Sequence, residues 1–120
     1  MSDETTIPRP APEDALARVG RAFSHPLRIR IVLALADSDE ASPLDLSARV
    51  DAPLGTVSYH VRYLADLGAI ELRRMVPRRG ALQHYYTLAP AIRLVLPLAR
   101  QMSVVSATGG DLLETAAFRS

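Results

Sequence analysis

Leu54-Gly55-Thr56-Val57-Ser58-Tyr59-His60-Val61-Arg62-Tyr63-Leu64-Ala65-Asp66-Leu67 is the stretch on which the reading of this 120-residue chain turns. Val57, Val61, Leu64 and Leu67 recur at i, i+4, i+7 and i+10, a single stripe along a helix. Gly55, Thr56, Ser58, Tyr59, Arg62 and Asp66 fall away from that stripe. A helix of this kind clamps its aliphatic side in a core and turns hydroxyls, a phenol and a guanidinium outward. Those groups are what a major-groove reader needs. Gly55 lets a phosphate come close, and the free N–H groups of the helix start attract an anion. Thr56 and Ser58 can bond a phosphate or a base edge, Tyr59 a thymine methyl or a phosphate, and Arg62 a guanine or the backbone. Plainer alternatives stand beside these. Thr56 can cap its own helix, Ser58 can be a neutral surface residue, and Tyr63 can pack on a neighbouring helix. His60, beside the stripe, can be half-buried and hydrogen-bonded instead of meeting phosphate.

Upstream, Ser42-Pro43-Leu44-Asp45 starts a shorter helix. Ser42 caps it, Pro43 occupies the first position without loss, and Asp45 suits the positive end of the helix dipole. Leu44, Leu46 and Val50 are its apolar residues, and Asp51-Ala52-Pro53 is the turn into the reading helix. Gly68 ends that helix. Downstream, Ile70–Val76 and Leu82–Leu88 form a hairpin around Pro77-Arg78-Arg79-Gly80. Period-two alternation puts Ile70, Leu72, Tyr86 and Leu88 on the helices and Arg73, Gln83 and Tyr85 outward. Arg78 and Arg79 at the tip either meet phosphate or minor groove or are simply solvated.

Further out, Glu13–Phe23 forms a first helix with Leu16, Val19 and Phe23 on one side. Ser24 caps a second helix with Pro26 in its first turn. Leu27, Ile29, Ile31, Val32, Leu33 and Leu35 make this helix apolar on most of its surface, as in a central, buried helix. Asp37–Ala41 is a polar loop. A last helix runs from Ala89 or Pro90 to Met102 through Ile92, Leu94, Val95, Leu96 and Leu98, and Pro97 kinks or splits it. The expected organisation is a disordered arm at 1–12, one domain at 13–102 and a flexible or short helical tail at 103–120. The fold class is mostly α with a small β-hairpin, in the order α-α-α-α-β-β-α: a winged helix-turn-helix.

Charge is unevenly spread. Residues 53–100 hold seven Arg and two acids, whereas residues 1–52 hold six Arg and nine acids. The positive segment coincides with the reading helix and hairpin, as on a nucleic-acid face. All fourteen strongly basic residues are Arg. Arg suits guanine edges and phosphates; G+C-rich codon usage, which would hint at a bacterial source, is the plainer explanation. The chain has no Cys, which removes disulfides, thiolate metal sites and Cys nucleophiles. No apolar run reaches membrane-spanning length and no signal peptide is visible, so a cytoplasmic, nucleoid-associated protein is expected. There is no Ser-His-Asp arrangement, phosphate loop or paired carboxylate site, so an enzyme is not expected.

Thr56-Val57-Ser58-Tyr59-His60-Val61-Arg62-Tyr63-Leu64, followed by Leu67-Gly68-Ala69-Ile70, resembles the recognition-helix signature of the ArsR-like winged helix-turn-helix regulators. Ser24-His25-Pro26-Leu27-Arg28-Ile29-Arg30-Ile31 is similar to the start of that family's second helix, and Tyr85-Tyr86 with Leu88 to the end of its wing. The resemblance spans about residues 14 to 89. It implies a bacterial transcription regulator, usually a repressor, that binds double-stranded DNA as a homodimer on a near-palindromic operator. The DNA-facing residues would be Ser42, Gly55, Thr56, Ser58, Tyr59, His60, Arg62, Arg73, Arg78 and Arg79. The dimer would form through Leu16, Val19 and Phe23 with Ile92, Val95, Leu96, Leu98 and Met102. Many members sense metals through Cys, or through His and carboxylates on the last helix. This chain lacks Cys, its last helix lacks His, Asp and Glu, and His25, His60 and His84 show no ligand spacing. No metal or cofactor is expected, and the effector stays open: a small apolar molecule, a partner protein or none. The alternative to a DNA-binding regulator is a winged-helix module for protein–protein interaction.

Overall fold

The structure, a computed structural model, describes residues 11–98 and 101. Residues 1–10 of the expected N-terminal arm, Met102 and the tail at 103–120 lie outside the described residues, while Ala11 and Pro12, also expected in the arm, cap and begin α1. Four helices come first: α1 (Pro12–Ala22), α2 (Pro26–Ala36), α3 (Pro43–Val50) and α4 (Leu54–Asp66). A hairpin of β1 (Ile70–Arg78) and β2 (Ala81–Leu88) follows. A further helix, α5, occupies 90–98.

Each of the first three helices has Pro at its start, where a missing N–H leaves nothing unpaired. The cap of α2 differs from expectation. Its N-cap is His25, whose Nδ1 accepts from the Leu27 N–H at 3.1 Å. The Ser24 hydroxyl instead donates to the Arg21 carbonyl at 2.8 Å, one turn back. At α3 the capping box is complete: Asp45 N–H donates to Ser42 Oγ, and Ser42 N–H donates to the Asp45 carboxylate, both at 3.1 Å. Asp51 closes α3 in the left-handed conformation at φ 52°. The Ser47 hydroxyl then donates to the Ala52 carbonyl at 2.6 Å, which ties the turn between α3 and α4.

Pro53 is the N-cap of α4. At the far end the Ala69 N–H donates to the Leu64 carbonyl at 2.9 Å and the Gly68 N–H to the Ala65 carbonyl at 3.0 Å. This is the paired closure of a Schellman motif, with Gly68 at φ 78°. A side chain at that φ is strained, so Gly68→Ala is expected to lower unfolding stability by about 1–2 kcal/mol in a urea titration.

The core is built from Ile31, Val32 and Leu35 of α2, Leu46 and Val50 of α3, and Val57, Val61 and Leu64 of α4, all buried. Ile70 and Leu88 at the base of the hairpin are also buried. Arg30 donates to the Val50 carbonyl and joins α2 to the end of α3. Leu44, one of α3's apolar residues, is exposed. In α1 only Ala22 is fully buried, Val19 and Phe23 are half-buried, and Leu16 is 70% exposed. In α5 Ile92 and Leu96 are buried, Val95 is half-buried and Leu98 is exposed. The helix continues through Pro97 to residue 98 and is not split there.

The hairpin is antiparallel, with Arg79 (φ 49°) and Gly80 (φ 81°) as its two-residue loop. Two successive positive φ values match the turn whose twist suits paired strands. A bulge between Leu72 and Arg74 leaves Arg73 as the extra residue and shifts the alternation of β1. Two orientations therefore depart from strict alternation. Leu72, opposite Tyr86, remains about half exposed. Tyr85 is buried: Arg74, moved opposite it by the bulge, lies 4.6 Å from its ring centre, and its hydroxyl donates to Gln83 Oε1 at 3.3 Å. The loop before α3 is also more than a polar connection. Ala41 is buried and exchanges backbone bonds with Tyr86 at 3.0 and 2.9 Å, a bridge on the free edge of β2.

Candidate nucleic-acid interface

The candidate interface is built on α4. Its Val57, Val61 and Leu64 are between 0 and 2% exposed, whereas Gly55, Thr56, Tyr59 and Arg62 are exposed and Ser58 is half-buried. The aliphatic stripe is thus held by α2 and α3, and the polar residues are turned outward from a fixed platform. Among the described residues, Arg62, Arg78 and Arg79 form no ion pair, and all three are exposed. Unpaired guanidinium groups on α4 and at the hairpin tip suit a polyanion.

Two of the expected contact residues are placed otherwise. Ser42 is buried, and its hydroxyl and N–H are both used in the capping box of α3, so it positions that helix. His60 is 5% exposed. Its Nδ1 accepts from Arg28 Nε at 3.2 Å, its ring lies 4.6 Å from that of His25, and Tyr59 meets it edge-on at 5.1 Å. The Arg28 guanidinium lies 3.6 Å from the centre of the Tyr63 ring, so Tyr63 is occupied in holding α2 against α4. Arg73 remains accessible at the bulge but shares Glu40 with Arg74. Arg74 Nε donates to Oε2 at 2.6 Å, while Arg73 Nε stands 3.8 Å from Oε1. This carboxylate offsets part of the hairpin's positive charge, and nothing in the local spacing announced the pairing across 34 residues.

The acceptor role of Nδ1 requires a neutral His60 with its proton on Nε2. Burial, then the neighbouring His25 and Arg28, hold its pKa below the ordinary value of 6.5. The unfolded chain takes up this proton at higher pH than the folded one. The stability contributed by neutral His60 is therefore present above about pH 6.5 and declines as pH falls towards the lower folded value. The urea midpoint should drop between pH 7.5 and 5.5, and His60→Gln, which keeps an acceptor for Arg28, should flatten that dependence.

Between α4, the start of α3 and β2 lies a groove of two adjoining cavities. One, about 270 Å³, is lined by Pro43, Ser58, Val61, Arg62, His84 and Tyr86. The other, about 250 Å³, shares Pro43, Ser58 and His84 and adds Ser42, Leu44, Leu54, Leu82 and Gln83. Sequence reasoning missed His84 and the three leucines, because they converge from three separate elements. Among the described residues no group of three His, Asp or Glu is placed to hold a metal ion, and no helix is long and apolar enough to cross a membrane.

Residues 23–73 match the helix-turn-helix domain family. No curated protein matches the sequence. Several solved structures share the fold. One is the homodimeric winged helix-turn-helix DNA-binding domain Mb0332 of Mycobacterium bovis, described as a possible ArsR-family transcriptional regulator. It is 23% identical with a TM-score of 0.66, over 79% of this chain and 83% of that one. A crystal structure of a possible transcriptional regulatory protein from the same organism is 26% identical with a TM-score of 0.57, over 83% and 96%. The transcriptional repressor BigR of Xylella fastidiosa is 23% identical with a TM-score of 0.59, over 80% and 87%. With the matched domain at 23–73, and with the helices and two-stranded hairpin of the described residues, this chain has the winged helix-turn-helix fold that these structures share.

Proposed function

We propose that this protein is a sequence-specific transcription regulator, a repressor, that acts as a homodimer on a near-palindromic operator in the cytoplasm. α4 enters the major groove and presents Thr56, Ser58, Tyr59 and Arg62, with Gly55 admitting a phosphate. The hairpin tip, with Arg78 and Arg79, lies on phosphate or in the adjacent minor groove. Arg73 contributes to the same field in spite of Glu40. The observation that carries this reading is the division of α4 into a fully buried aliphatic side and an exposed side bearing Tyr59 and an unpaired Arg62. The dimer is assigned to α1 and α5, where Leu16 and Leu98 are uncovered and Val19, Phe23 and Val95 are half-buried. The homodimeric state of the similar Mycobacterium bovis domain supports a dimer, without indicating which helices form it.

Selection of bound duplexes from a random pool tests the proposal, with a two-fold-symmetric consensus as the expected result. On the selected duplex, replacing Arg78 and Arg79 together by Ala should weaken binding and reduce the slope of log affinity against log salt by about two, since each phosphate contact contributes about 0.9. An unchanged slope and affinity would remove the hairpin from the interface. Failure to enrich any duplex would leave protein–protein interaction as the module's function.

A further inference from the structure

The groove between α3, α4 and β2 is more apolar than a phosphate contact requires. Leu44 of α3, Leu54 of α4 and Leu82 of β2 line one side, and they are 53%, 45% and 56% exposed. Residues directly opposite in an antiparallel pair share a face. Met75 and Pro77 therefore extend the wall beside His84 and Leu82, and Met75 is also exposed. Core packing explains none of these side chains, and a sugar-phosphate backbone offers little to three leucines. On the other side of the shared floor stand the Ser58 hydroxyl, the His84 imidazole and the Arg62 guanidinium, which has no acceptor among the described residues.

We propose that this groove is a binding site for a small amphipathic anion, an aromatic or alkyl carboxylate or sulfonate. The apolar body lies against Leu44, Leu54 and Leu82. The anionic head meets Arg62, with Ser58 and His84 beside it. Charge complementarity selects this occupant over a neutral one, since burial of an apolar molecule next to an unpaired guanidinium is favourable only when the charge is answered. Two adjoining cavities of about 270 and 250 Å³ suit a compact ligand of two rings or a short chain. Because Ser58 and Arg62 also belong to the DNA-facing side of α4, an occupied groove and a bound duplex exclude each other. That exclusion rests on the function proposed above; the site itself does not. It supplies an effector site made without thiolates or a metal.

The probe is 1-anilinonaphthalene-8-sulfonate, compared with N-phenyl-1-naphthylamine, which has the same rings and no sulfonate. The full chain should enhance the sulfonate's fluorescence saturably at one site per chain. Leu82→Ser, on the exposed hairpin, and Arg62→Gln should each weaken this binding about tenfold, while the neutral compound binds weakly and is insensitive to Arg62→Gln. Circular dichroism and urea midpoints equal to those of the parent chain show that the variants stay folded, so altered fluorescence does not report unfolding. The selected duplex should displace the sulfonate, and Leu82→Ser should still bind that duplex. Sulfonate binding that is absent, or that both variants leave unchanged, overturns the site whatever the DNA result. A site that behaves as described in a chain that binds no duplex supports the anion site and overturns instead the regulator function.

Discussion

Replacing Arg62 by alanine is expected to cost about 1–3 kcal/mol of affinity for the selected duplex, the range of a single bidentate base contact. The expectation follows from where the residue stands. Arg62 lies one turn beyond Ser58, next to the buried Val61, on a helix whose aliphatic side is fixed in the core. Its guanidinium forms no ion pair among the described residues, so no internal partner has to be surrendered when DNA binds. A surface arginine without an acceptor contributes little to folding. The loss should therefore appear in binding and not in the urea midpoint. If Arg62 reads a base, the discrimination between the consensus and a duplex changed at that position should shrink with it. If it grips only phosphate, affinity should fall alike on both and the salt slope by about one. Arg18→Ala on α1 is the control, also exposed but on another helix. Fluorescence anisotropy at two salt concentrations separates these outcomes. An Arg62→Ala protein that binds within about twofold of the parent would place the interface elsewhere.

The second large effect concerns the platform. Leu64→Ala should reduce unfolding stability by about 2–5 kcal/mol, the range for a leucine deleted from a closed core. Leu64 is fully buried at the C-terminal end of α4's stripe, and its carbonyl accepts the Ala69 N–H that closes the helix before β1. A void there loosens the packing of α4 and the point where the hairpin departs. The reading side of the helix is then less fixed, so affinity should fall together with stability although Leu64 touches no DNA. Leu44→Ala provides the contrast on exposed α3, where a change within about 0.5 kcal/mol is expected. A Leu64→Ala protein as stable as the parent would mean that α4 is not clamped as described.

Much of the fold was legible because its signals are short-ranged. The Ser42–Asp45 capping box, the proline starts, the glycine after α4 and the spacing of Val57, Val61 and Leu64 all act within a few residues. The hairpin tip was equally plain from Arg79-Gly80. Departures arose where two local solutions were nearly equal. At α2 both Ser24 and His25 can accept a helix N–H, and the ring nitrogen of His25 does so while Ser24 bonds the turn behind it. The orientation of Tyr85 failed for a different reason. Alternation presumes unbroken pairing, and one extra residue at Arg73 reassigns the partners of β1 beyond it.

The contact residues divide along the same line. Tyr59, Thr56 and Arg62 are exposed because they lie off a stripe that the linear order already displays. His60 is on the same helix, and its place in the linear order suits a phosphate contact as well as a buried one. Its position is decided by Arg28, His25 and Tyr59 closing over it, and Arg28 stands 32 residues away.

Element order, helix limits, the charge excess of the reading segment and the absence of thiolates are properties of the sequence by itself, because hydrogen bonding between near neighbours and side-chain periodicity dictate them. The bulge, the Glu40 clamp on the hairpin arginines, the enclosure of His60 and the leucine-lined groove belong to the tertiary structure. Each depends on side chains from distant parts of the chain meeting in one place, and no local preference contains that information.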